Sequence, residues 1–109
     1  MNNLRNKVQL IGHLGHDVEI KKLENGGMFA RVSLGTKEFK NFGTGETKVE
    51  TQWHQLVGWG RLAENMQVLF KKGKQVAIEG KLSHRTYEDK NGIKRYISEV
   101  VVKEFVLMA

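Results

Sequence analysis

Apolar residues fall at every second position through most of this 109-residue chain, and only one stretch spaces them as a helix would. A period of two sends alternate side chains to opposite faces of an extended strand, so most of the chain must fold as sheet with one face buried. From Lys7 to Leu14, the residues Val8, Leu10, Gly12 and Leu14 share a face. From Met28 to Phe39, Ala30, Val32 and Leu34 share one face, and Phe29, Arg31, Ser33, Lys37 and Phe39 the other. Asn25-Gly26-Gly27 supplies the turn before this second strand, and Lys40 to Lys48 (KNFGTGETK) reads as a long, mobile, basic loop after it. A third strand runs from Val49 to Trp59. Leu62, Met66, Leu69 and Phe70 then recur at helical spacing over Arg61 to Phe70, until Gly73 ends the pattern. In the fourth strand, Gln75 to Tyr87, Val76, Ile78, Gly80 and Leu82 oppose Glu79, Lys81, Ser83, Arg85 and Tyr87. Asn91-Gly92 predicts a tight hairpin turn into a fifth strand, Lys94 to Leu107, rich in Val, Ile, Tyr and Phe.

The expected fold is therefore all-β, one domain over residues 1–109: a five-stranded OB-fold barrel with one short helix between strands 3 and 4. A small open β-roll would show the same periodicity. The chain has no proline but 12 glycines, so turns and bulges are well supplied while proline-rich linkers are excluded. With no cysteine, disulfides, thiolate catalysis and Cys-based zinc sites are excluded too. No apolar run approaches a membrane span, and Met1 to Val8 lacks the apolar stretch of a signal peptide. A soluble, unexported protein with no membrane partner is expected.

The strand phases that avoid the core carry the chemistry. Trp53, Gln55, Val57 and Trp59 share one face of strand three, with His54 and Leu56 opposite. Strand two places Phe39 with Arg31 and Lys37, and strand four places Tyr87 with Lys81 and Arg85. Rings that stack on bases, interleaved with cations that meet phosphates, suit an unpaired nucleic-acid strand. The formal charge of +6, from 18 Lys and Arg against 12 Asp and Glu, favours a polyanionic partner. An isolated aromatic residue in a β-protein is more often core or interface than platform; the recurrence on three non-core phases shifts that balance toward a platform for Trp53, Trp59, Phe39 and Tyr87. Phe29, Phe42 and Tyr96 are ambiguous. Arg31, Lys37, Lys81 and Arg85 are the leading phosphate contacts, followed by Lys7, Lys48 and Arg95, although a lone surface cation more often only aids solubility.

The stretches NKVQLIGHLGHDVEI (Asn6 to Ile20), TQWHQLVGWGRLAE (Thr51 to Glu64), KKGKQVAIEGKL (Lys71 to Leu82) and NGIKRYISEVVV (Asn91 to Val102) resemble the bacterial-type single-stranded DNA-binding protein (SSB) family across nearly the whole chain. Trp-His, Gly-x-Gly, Leu-Ala-Glu, Lys-Gly and Ile-Glu-Gly are specific in combination. The resemblance implies an OB fold, binding of single-stranded DNA without strong sequence preference, a homotetramer, and a role in replication, recombination and repair in the cytoplasm at the nucleoid. It maps the stacking aromatics to Phe39, Trp53, Trp59 and Tyr87; Phe39 and Tyr87 stand where relatives often have Trp, and Trp59 where they often have Phe. Relatives commonly continue into a flexible linker and an acidic tip that recruits partners. This sequence stops at Ala109 directly after the last strand, so tail-mediated partners are not expected.

No enzyme, metal or cofactor is expected. His13 and His16 are three apart on a strand and so face opposite ways, with no cysteine or acidic cluster to complete a site. His54 and His84 show no partner in the sequence. The glycines form neither a phosphate-cradling loop nor a dinucleotide fingerprint. An RNA-binding OB module is the alternative, because rings and cations serve either polymer. A carbohydrate-binding or scaffolding barrel would keep the aromatics but has no need of the charge.

Overall fold

The computed structural model describes residues 4–41, 43 and 45–108. In chain order the elements are β1 (Val8–Leu14), β2 (Glu19–Lys22), β3 (Met28–Asn41), β4 (Thr47–Trp59), α1 (Gly60–Leu69), β5 (Gln75–Glu88) and β6 (Lys94–Leu107). The sheet order is β1-β5-β6-β4-β3-β2, and a further pairing of β1 with β3, His13 to Gly35 and Leu14 to Leu34, closes five of the strands into a barrel. This is the expected OB barrel. The β4–β6 contact is parallel; every other pairing is antiparallel.

The sequence-based strand count was one short. β2 has four residues and lies on the edge of β3 rather than in the barrel wall. It sends only Ile20 toward the core, too little for a period of two to register. The helix thus follows the fourth strand of the chain, although it still separates the third and fourth strands of the closed barrel.

The inward phases build the core as expected. Ala30, Val32, Leu34, Leu56 and Val76 are fully buried, with Leu14, Ile78, Val100 and Val102 beside them. Helix α1 closes one end, burying Ala63 and Met66. Its C-cap, Phe70, turns extended and meets Phe105 edge-on with ring centroids 4.6 Å apart. Leu69, expected on the buried stripe, is instead exposed, because the 63, 66, 70 spacing defines the inward face. No helix among the described residues is long and apolar enough to cross a membrane.

Two ribbons extend from the barrel. β3 and β4 stay paired out to Asn41 and Thr47, so both ends of the stretch read as a mobile loop, Lys40–Asn41 and Thr47–Lys48, are hairpin strand. β5 and β6 pair out to Glu88 and Lys94 after a register shift between Glu79 and Gly80. Their connection is longer than a two-residue turn. Asp89 N–H donates to the Ile93 carbonyl, and Gly92 takes φ +76°, leaving a three-residue loop that ends on a left-handed glycine.

Candidate nucleic-acid interface

The register of the β3–β4 ribbon fixes which side chains can act together. On its outward face Phe29 lies opposite Trp59, Arg31 opposite Val57, Ser33 opposite Gln55, Gly35 opposite Trp53, Lys37 opposite Thr51 and Phe39 opposite Val49. Phe39, Trp53 and Trp59 are 69%, 62% and 53% exposed. Six residues separate the tryptophans, about 20 Å at strand rise, enough for each to meet a different base. Trp59 leans on Phe29, ring centroids 4.5 Å apart.

Trp53 has a floor of glycines. A Cβ at Gly15 would lie 2.7 Å from Trp53 Cζ3, and one at Gly35 3.0 Å from it, so a side chain at either position would displace the ring. The loop carrying Gly15 is tied to β3: Gly15 N–H donates to the Ser33 carbonyl, and Ser33 N–H donates to His16 Nε2. An amide can only donate there, so Nε2 is unprotonated and the imidazole proton sits on Nδ1, 2.7 Å from the Asp17 carbonyl oxygen. Beside the ring lies a groove of about 230 Å³ lined by His13, Leu14, Gly35, Lys37, Thr51 and Trp53.

The same face continues across the sheet. The pairings place Lys81, Val101, Val57, Arg31 and Glu19 in one row over five strands. Val57 is buried without belonging to the core cluster, so it floors this outer surface. Farther out on the β5–β6 ribbon, Tyr87 is 46% exposed opposite Arg95. Arg85 Nε donates to Glu99 Oε1 at 2.8 Å, and that hydrogen bond and charge hold the guanidinium above its already high ordinary pKa. Glu99 is the one buried charged residue among those described, and its Oε2 has no hydrogen-bond partner among them. At the tip, Asp89 Oδ1 accepts from the Ile93 and Asn91 amides and Oδ2 from Arg95 Nε. These bonds, the Ile93 amide foremost, hold the Asp89 carboxyl below the usual range.

A family model described as the single-strand binding protein family matches residues 5–108. The chain belongs to that family. Among solved structures it is similar to the Plasmodium falciparum SSB in complex with ssDNA, at 28% identity over 95% of each chain with a TM-score of 0.84.

In this SSB-family chain the structure gathers Phe39, Trp53, Trp59, Tyr87, Arg31, Lys37, Lys81 and Arg85 on the outward side of the two ribbons. Lys37 and Lys81 have no ion pair among the described residues, whereas Arg31, Arg85 and Arg95 are held by Glu19, Glu99 and Asp89. Lys7 and Lys48 are not brought to this face. Lys7 pairs with Glu79 on the β1–β5 wall, six residues along β1 from His13. Lys48 lies opposite Lys40 on the other phase of the β3–β4 ribbon from Trp53.

Of the ambiguous aromatics, Phe29 joins the face through Trp59, Tyr96 stands on the reverse of the β5–β6 ribbon with Lys94 Nζ 5.9 Å from its ring centroid, and Phe42 lies outside the described residues. His54 Nε2 and His84 Nδ1 do have partners, the hydroxyls of Thr36 at 2.8 Å and Ser98 at 2.7 Å. Sequence reasoning missed Gly15, Gly35 and Glu99. The last was accessible in principle: a hairpin centred on Asn91-Gly92 puts residues 85 and 99 on neighbouring outward positions.

Proposed function

We propose that this protein binds single-stranded DNA without strong sequence preference, on the outward face of the β3–β4 and β5–β6 ribbons. The exposed Trp53 and Trp59 on one side of one ribbon, with cations between and beyond them, carry this reading. Long-range attraction draws the strand to the basic face. Its bases then stack on Trp53, Trp59, Phe39 and Tyr87, and phosphates meet Lys37, Lys81, Arg31 and Arg85. Two of these cations are preorganised: Glu19 and Glu99 orient Arg31 and Arg85 while leaving guanidinium N–H groups free to donate. Lys7, Lys48 and Arg95 contribute through the general field. Duplex DNA binds poorly because its bases are already stacked.

The protein performs no chemistry on the strand; it holds and shields it during replication, recombination and repair, in the cytoplasm as one domain of a homotetramer. Membership of the single-strand binding family and the likeness to a DNA-bound SSB support this reading. Titration of tryptophan fluorescence with oligo(dT), matched duplex and matched RNA at two salt concentrations tests it. Quenching by oligo(dT) that weakens with salt, with little response to duplex, is expected. Absence of a response to oligo(dT), or preference for RNA, would overturn it.

A further inference from the structure

A recess opens beside Trp59, where the edge of β2 and the start of β3 face the β5–β6 ribbon. Its volume is about 350 Å³, and it is lined by Glu19, Ile20, Lys21, Phe29, Arg31 and Arg85. Glu19 and Lys21 pair with Arg31 and Phe29, so all four lie on the outward phase. We propose that this recess is a one-nucleotide subsite of the bound strand, in which the base lies on Phe29, the phosphate meets Arg31 and Arg85, and Glu19 selects bases that carry an exocyclic amine. The proposal rests on the single-stranded DNA reading and names a base preference within it.

Three observations support these assignments. Phe29 already lies against Trp59, their rings tilted by 48° with centroids 4.5 Å apart, so a base on Phe29 continues the run of rings along the ribbon. Both donors that Arg31 gives to Glu19, Nε at 3.2 Å and Nη2 at 2.8 Å, end on Oε2. Arg85 binds Glu99 only through Nε. Each guanidinium therefore keeps N–H groups for a phosphate, and Glu19 Oε1 has no hydrogen bond among the described residues. The Arg31 contact holds the Glu19 carboxyl below its ordinary pKa, so it is ionised and can only accept. Cytosine, adenine and guanine offer an exocyclic amine to such an acceptor; thymine has none, and its single donor, N3–H, is flanked by two carbonyl oxygens that the carboxylate repels.

The test compares affinities for oligo(dC) and oligo(dT) of equal length, at one salt concentration and neutral pH, in the wild-type chain, Glu19→Gln and Phe29→Leu. Glu19→Gln removes a negative charge and strengthens binding to both oligomers, an effect that cancels in their ratio. The glutamine amide both donates and accepts, so the dC-to-dT affinity ratio should fall by about 3- to 10-fold, as expected when a charge-assisted hydrogen bond is exchanged for a neutral one. Phe29→Leu keeps an apolar side chain against Trp59 but removes the ring, and should weaken both oligomers by about fivefold or more with the ratio unchanged. An unchanged ratio in Glu19→Gln, or unchanged affinity in Phe29→Leu, overturns the subsite while the wider reading stands. Failure of the wild-type chain to bind either oligomer overturns both.

Discussion

On the inward face of the β3–β4 ribbon, Ala30, Val32, Leu34 and Leu56 are wholly buried, while on the outward face of the same strands Phe39, Trp53 and Trp59 keep more than half of their surface in water. The inward set is aliphatic and of modest size, matched to a barrel interior that must fill without voids. The outward set contains the largest rings of the chain, laid over Gly15 and Gly35, Phe29 and Val49 rather than inserted into the core. Exposed aromatic surface on this scale is uncommon unless a partner covers it. One face therefore holds the fold together, and the other presents a surface to a ligand. The two should separate under mutation.

The largest effect is expected inside. Phe70→Ala removes a fully buried ring that meets both the helix end and Phe105, and should cost about 3–5 kcal/mol of stability in chemical denaturation. The fraction that remains folded should bind oligo(dT) as tightly as the wild-type chain does. On the opposite face, Trp53→Ala should leave the denaturation midpoint nearly unchanged and weaken binding by about 1–3 kcal/mol, similarly for every base composition. A large stability loss in Trp53→Ala would mean that the outward face is also core, and the contrast between the faces would fail.

Gly35→Ala sharpens the comparison at the point where the faces meet. The new Cβ, 3.0 Å from the ring, should push Trp53 off its rotamer at a cost of about 0.5–1.5 kcal/mol in binding, with a shifted tryptophan emission maximum. The smallest effect is at the tip of the β5–β6 ribbon. Because the folded-state pKa of Asp89 lies below its unfolded value, its contribution to the hairpin is fully present above the ordinary carboxylate range and is lost as pH falls through the depressed folded value. The amide signals of Asn91 and Ile93 should follow that titration in NMR spectra, and in Asp89→Asn they should not titrate.

The barrel was legible because its long strands alternate over many residues, and the inward phases named in the sequence supply the core, except that Leu82, at the end of its run in β5, is 42% exposed. β2 was not legible, because four residues with a single core contact carry no period. The loop read over residues 40–48 is polar and glycine-rich, yet backbone pairing carries the hairpin into both of its ends, Lys40 to Lys48 and Asn41 to Thr47, without needing an apolar face. The outward placement of Phe39, Trp53, Trp59 and Tyr87 was equally readable from phase. The charge side was not: nothing local in the sequence says that Arg31, Arg85 and Arg95 each face a carboxylate, since the partners of Arg31 and Arg85 sit 12 and 14 residues away and meet them only through strand pairing. The place of Lys7 beside Glu79 on the β1–β5 wall likewise follows from barrel closure rather than from alternation along the chain.

The central claim is that the outward rings touch the bound strand. It is tested most directly with the single-tryptophan variants Trp53→Phe and Trp59→Phe, each saturated with oligo(dT) whose binding is followed independently by the anisotropy of a dye on the DNA. The account predicts that the remaining tryptophan is quenched in both variants in step with the anisotropy rise. Full binding by anisotropy with tryptophan emission unchanged in both would place the strand elsewhere on the barrel and contradict it.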